Sequence, residues 1–176
     1  KEDGSGLVVF DASQLNKPFL YFVSTVDGAV AAGTFRGQFR GSRLIEFRRN
    51  YDRIEVVSKT PRFYFDPEKA ISRAAEANIS EAILLSTKIE HEEDGKIAIS
   101  LGELFANEDL HKVSQSPVDD PKVEKRRFKP GKLSEDKTSI SEIKNFPENT
   151  HVVVRYVYEN SEPKVDGGNE VSDSRY

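Results

Sequence analysis

Cysteine and methionine are both missing from this chain of 176 residues. Without cysteine there is no disulfide framework and no thiol nucleophile, although many periplasmic proteins also lack cysteine, so the compartment stays open. Without methionine, Lys1 is not an initiator, and the chain is expected to be a processed or excised piece, cut at both ends. No apolar run approaches the roughly 20 residues that a membrane-spanning helix needs. Neither sign of charge dominates: 26 basic against 30 acidic residues leave a net charge of −4, which gives no general attraction to nucleic acid or to an anionic membrane.

The residues present describe a polar globular chain, 36% hydrophobic and 32% charged, of a length that suits one domain, residues 1–176. Short runs alternate with period two. Leu7 to Phe10 reads as a strand, Asp11 to Leu15 as a turn of helix, and Phe19 to Ser24 as a buried strand. Ile45 and Phe47 alternate with Glu46 and Arg48, Asn50-Tyr51-Asp52 turns, and Ile54 and Val56 return, which predicts a hairpin. Asp66-Pro67 is a capped helix start for a stripe ending near Ile79. From about Glu81 the pattern of Ile83, Leu85, Thr87 and Ile89 predicts a strand. It pairs with Lys96 to Leu101 across His91 to Gly95, where Asp94-Gly95 suits a hairpin turn. Gly102 to Ala106 reads as a short helix. Residues 27–41 and 107–133 read as long loops, and Asn160 to Asp173 as another, before the start of a strand at Arg175-Tyr176.

The longest ordered signal is Ser139 to Glu159. Ile140 and Ile143 lie one helical turn apart, Pro147 is a stop, and Val152, Val154, Tyr156 and Tyr158 then alternate with His151, Arg155 and Glu159. This predicts a short helix followed by a strand whose valines and tyrosines face the core. The fold class expected is α+β and β-dominated: an antiparallel sheet of about six to eight strands with two or three short helices.

Chemistry-bearing patterns are sparse. His91-Glu92-Glu93-Asp94-Gly95 begins like a zinc peptidase motif, which places two histidines one helical turn apart beside a glutamate. The second histidine is replaced by Gly95 and the segment sits at a hairpin tip, so it reads as a solvated turn. His111 and His151 have no spacing that joins them to it. Lys122 to Lys129 holds five basic residues and Phe128, but Asp119, Asp120 and Glu124 dilute it, and it reads as a solvated loop and not a nucleic-acid site. Arg36 to Arg43 reads as a flexible loop, and Gly33, Gly37 and Gly41 do not lead into a phosphate-binding helix start. Asn78-Ile79-Ser80 is formally a glycosylation sequon. No catalytic, cofactor-binding or metal residue is assigned, and this stretch alone is not expected to be an enzyme.

Four segments, in order, carry a family resemblance: Asn16-Lys17-Pro18-Phe19-Leu20-Tyr21, Leu44-Ile45-Glu46-Phe47-Arg48-Arg49, Ile97 through Phe105 (IAISLGELF), and Ser139 through Asn149 (SISEIKNFPEN). The last is the most specific. Together they resemble the domain of unknown function that precedes the catalytic domain in a family of large bacterial zinc-dependent metallopeptidases. Gly102 stands where a Thr or Ser helix cap is expected, and Thr138 where an arginine commonly precedes the serine matching Ser139. The resemblance implies a non-catalytic N-terminal domain of a secreted or periplasmic peptidase, packing on or regulating the catalytic domain or helping to hold peptide substrate. It implies zinc for the parent protein only, because the extended HExxH motif of that family lies downstream of this domain. A different reading is an autonomous β-rich binding module for protein or glycan, using aromatics such as Phe63, Tyr64 and Phe65.

Overall fold

Alternating apolar residues build the structure, a computed structural model that describes residues 5–28, 32–59, 81–113, 119–122, 128–160 and 174–175. Strands β1 (Leu7–Asp11), β2 (Pro18–Ser24), β3 (Phe39–Asn50), β4 (Arg53–Lys59), β5 (Ala82–Glu93) and β6 (Lys96–Ser100) form one antiparallel curled sheet in the order β1-β6-β5-β4-β3-β2. The chain is β-dominated, and among the described residues its helices are few and short. The hairpins at Asn50 to Arg53 and at Asp94-Gly95 are as the sequence predicts. Asp94 and Gly95 have φ of 49° and 72°, the left-handed pair that a two-residue hairpin turn of matching twist requires. A 3₁₀ turn, Ala12–Gln14, opened by Asp11, follows β1.

By contact the chain divides into two compact units, Lys1–Phe22 with Gly41–Leu101, and Val23–Arg40 with Gly102–Tyr176. The first holds most of the curled sheet. Residues opposite one another across an antiparallel ladder share a face, so Phe47, Val56 and Leu85 line one face, as do Phe10 with Ile97 and Val8 with Ile99. The Phe10 ring stacks on Phe47 at 5.1 Å, and Phe19 meets Phe47 edge-on at 5.4 Å. The first, second and third strands thus meet through one ring, and the face on which they meet is the interior. Ile54, Val56, Ile97 and Ile99 on that face are fully buried.

Two bulges in β5 change which side chains face in. Val56 opposes Leu85 but Val57 opposes Ile83, so Leu84 is an extra residue. Ile83 is therefore turned to the outer face and exposed, which corrects the four-residue face expected from Ile83 to Ile89. A second irregularity between Ile89 and His91 puts His91 opposite Ala98, on the outer side. Strand β2 is not buried on both sides as expected: Phe19 and Tyr21 are half-buried, and Leu20 and Phe22 are exposed.

In the second unit the expected helix at Ser139 is a strand. β8 (Ser139–Asn145) pairs with β9 (Thr150–Arg155), and Phe146 N–H donates to the Asn149 carbonyl, with Pro147 inside the turn. Ile140 opposes Val154, but Glu142 opposes Val153, so Ser141 is a bulge. That extra residue returns Ile143 to the face of Ile140, and a spacing of three arises without a helix. The following strand is also interrupted. Tyr156 lies outside β9, and β10 (Val157–Glu159) pairs instead with β7 (Lys132–Leu133) and β11 (Ser174–Arg175). Val157 is buried along with Tyr158, while Val152 and Val154 are only half-buried. The expected single core-facing row over residues 152–158 does not exist.

The short helix α1 (Leu101–Phe105) is present. Tyr156 Oη donates to the carbonyls of Phe105 and Asn107, both at 3.0 Å, satisfying carbonyls at the helix end. The two expected long loops are partly structured. Ala32, Thr34 and Leu110 are buried, β3 begins at Phe39, and Lys132–Leu133 is a strand. Gly131 adopts φ of 95° at a point where an added Cβ would overlap the Glu159 carbonyl. The expected helix from Asp66 to Ile79 lies outside the described residues, as does most of the loop from Asn160 to Asp173.

Removing the Phe47 ring is expected to cost about 3–5 kcal/mol, from lost transfer energy and the cavity left behind. Leu20→Ala, on the outer face, is expected to cost about 0.5 kcal/mol or less. Denaturant melts of Phe47→Ala and Leu20→Ala check this; equal losses would remove Phe47 from the centre of the fold.

Candidate functional site

Strand parity brings four charged groups together on the outer face of the curled sheet. Glu46 and Arg48 are two residues apart in β3, Lys59 ends β4, and Glu81 precedes β5. Arg48 Nη2 lies 3.1 Å from Glu46 Oε2, and Lys59 Nζ 3.5 Å from Glu46 Oε1. Arg48 Nη1 also donates to Glu81 Oε2, and Lys59 Nζ to Glu81 Oε1. Each carboxylate oxygen faces one cation, and the ring of charges sums to zero. Glu46 is the deepest member, its side chain 12% exposed. Arg48, and then Lys59, hold the Glu81 carboxyl down to about 2 from its ordinary 4.5 by donating hydrogen bonds to the charged form. A carboxylate so held is a poor base and an anchored anion, so the quartet acts as a clamp across β3, β4 and the start of β5.

A second pair lies at the hairpin ends of the same sheet. Arg49 grips Glu92 with two parallel bonds of 2.7 and 2.9 Å, the fork geometry that favours arginine over lysine. Arg53 likewise uses Nε and Nη2 on Ser86 Oγ and its carbonyl, at 2.8 and 2.6 Å. In the second unit, Tyr158 Oη donates to Glu108 Oε1 at 2.7 Å. Burial, and then this bond, push the phenol well above its ordinary value.

The groups singled out from the sequence are dispersed. His91 is exposed on β5 with Nε2 3.3 Å from Glu93 Oε2. His111 is half-buried in the second unit, and His151 lies on β9 with its ring edge-on to Phe146 at 5.1 Å. Among the described residues no three histidine or carboxylate groups converge as a metal ligand set. Of the basic run, the described residues are Lys122, whose N–H donates to Asp120 Oδ1 at 2.8 Å, and Phe128 and Lys129. Arg40 bonds Gln38 Oε1 at 3.4 Å within the Arg36 to Arg43 segment. The aromatics Phe63, Tyr64 and Phe65 and the sequon at Asn78 lie outside the described residues. No sequence motif marks the quartet itself. Its available signal is Glu46 and Arg48 at the same parity beside a hairpin, which brings Lys59 within reach.

Thr138, the departure from the family's pattern, has a structural part. Its hydroxyl donates to the Ser134 carbonyl at 2.9 Å and accepts from Val157 N–H at 3.3 Å. It ties the base of the β8–β9 hairpin to β10.

A family model described as a domain of unknown function, DUF5117, matches residues 37–174. No curated protein and no solved structure matches this chain.

Because Glu81 is depressed in the folded state, its contribution to stability is fully present above the unfolded value near 4.5 and is lost as pH falls through about 2. The groups are partly solvated, so the contribution is about 0.5–1 kcal/mol, not the full Coulombic value. Glu81→Gln is expected to lower stability by that amount at pH 7, with the gap to wild type closing between pH 4.5 and 2. Denaturant melts at a series of pH values check it; a gap independent of pH would refute the clamp.

Proposed function

We propose, starting from the premise that this chain belongs to the DUF5117 family, that it is a non-catalytic domain of a secreted or periplasmic zinc-dependent metallopeptidase. In that reading it packs on or regulates the catalytic domain of the same parent chain, or helps to hold its peptide substrate. The α+β part of the class expected from sequence belongs to this reading too. The ordered resemblance of four segments supports it, and two of those segments supply rings to one cluster: Phe19 and Phe47.

The observation that carries the docking role is the outer face of the two edge strands. Leu20 on β2 is 71% exposed and Val9 on β1 is 57% exposed. Their neighbours Phe19 and Phe10 point inward to Phe47, so period two turns Leu20 and Val9 outward. Apolar side chains on the outside of sheet edges are surface that a packed neighbour would remove from water. Zinc would belong to that neighbour and not to this chain.

Two measurements test the reading. The parent reading frame beyond residue 176 is expected to encode an HExxH helix, in which two histidines share one metal; its absence would sink the peptidase assignment. The chain is also expected to bind the separately expressed remainder of the parent in calorimetry. Leu20→Asp and Val9→Asp should each weaken that binding at least about tenfold, or about 1.4 kcal/mol, with melting temperatures near wild type. Unchanged affinity in both variants would move the docking surface elsewhere. An unrelated neighbouring domain with no binding would favour an autonomous binding module.

A further inference from the structure

We propose that β8 is a self-pairing edge, by which two copies of this chain join their β8–β9 hairpins into one four-stranded antiparallel sheet. This rests on the hairpin alone and not on the peptidase reading. β8 and β9 form a sheet of only two strands among the described residues. Every residue from Ser141 to His151 is exposed. A two-stranded hairpin is marginal by itself and its outer edges present unpaired N–H and C=O groups, which a further strand would satisfy. The hairpin is tied down at its base through Thr138, while its far end stands in solvent.

The occupant is read from charge. Along β8 the order is Ser141-Glu142-Ile143-Lys144-Asn145. An antiparallel pair with its two-fold axis at Ile143 places Glu142 opposite the partner's Lys144, and Lys144 opposite the partner's Glu142. Ile143 then lies against the partner's Ile143, and Ser141 against the partner's Asn145. Both ion pairs come from one axis, so the strand is complementary to itself. A two-fold axis normal to the sheet also keeps faces aligned. Ile143, Val152 and Val154 share one face of the hairpin, and joining two copies makes that apolar face continuous. Glu142 and Lys144 already bond each other at 2.8 Å within a single chain. They lie on the opposite face to Ile143, as the paired arrangement needs.

Such a short edge predicts a weak dimer, in the class of small interfaces. The test is sedimentation velocity of this 176-residue chain over about 10 µM to 1 mM, a range set by the affinity scale of weak complexes. Wild type is expected to show a concentration-dependent dimer. Lys144→Glu, and separately Glu142→Lys, set like charges opposite one another twice and should weaken the dimer at least about tenfold. Both sites are exposed, so the variants are expected to keep wild-type circular dichroism and melting temperature. The decisive arm mixes the two variants in equal amounts. A strand with lysine at both positions then faces one with glutamate at both, which restores complementarity, and a heterodimer should form at or above wild-type strength. A wild type that stays monomeric to about 1 mM overturns the proposal and leaves the edge to a different protein. So does a dimer indifferent to both reversals, or a mixture that fails to recover.

Discussion

The Phe47 ring is the constraint on which the curled sheet depends. A six-stranded antiparallel sheet has two edges and two faces, and its own twist does not decide whether those edges come together. Here Phe10 from the first strand and Phe19 from the second meet Phe47 in the third. The backbone follows, because Asn16 N–H donates to the Phe47 carbonyl at 2.9 Å. Asn16 takes φ of 59° to turn the chain there, a left-handed value that asparagine tolerates better than most residues. With the edges gathered on one ring, the centre of the inner face is closed to water, and Ile54, Val56, Ile97 and Ile99 there are buried completely.

The segment Leu44 to Arg49 shows why a short motif carries several jobs at once. Period two sends Phe47 to the interior and Glu46 and Arg48 to the exterior, where they join Lys59 and Glu81. Arg49 returns to the inner parity but lies near the strand end, where it reaches Glu92 on the fifth strand. Val57 and Glu46 are both buried, so the centre of the sheet is covered on its outer face as well. Replacing Phe47 disturbs the closing ring, whereas replacing Glu46 or Arg48 disturbs a charge with fixed partners, and these lie on opposite sides of one strand.

Much of the first unit is legible from alternation alone. The two hairpins, the strand beginning near Glu81 and the 3₁₀ turn after Asp11 all follow from local pattern and turn chemistry. What misleads is parity, and it fails at bulges. Leu84 turns Ile83 outward, and Ser141 gives Ile140 and Ile143 a helical spacing inside a strand. A bulge is decided by the partner strand, which a single stretch of sequence does not contain. The same applies to Val152 through Tyr158. The residues suit one long strand, but Tyr156 bonds the end of α1 instead, and the chain changes sheets there.

The charged groups are less legible than the core for a related reason. Thirty acidic residues in 176 make close pairs in sequence uninformative, and the meaningful partners are far apart along the chain: Arg48 with Glu81, Arg49 with Glu92. Pairing settles the chemical character of these groups. The Glu81 carboxylate, with hydrogen bonds from Arg48 and then Lys59, is held ionised through the physiological range. Such pairs tie β3, β4 and β5 to one another across the sheet. Among the described residues, the backbone of β8 and the outer side chains Val9 and Leu20 of β1 and β2 meet solvent. Recognition at a sheet edge uses main-chain hydrogen bonds for affinity and the alternating side chains for selectivity. On that ground the proposed self-pairing rests on the alternation of Glu142, Ile143 and Lys144, which no sequence motif marks.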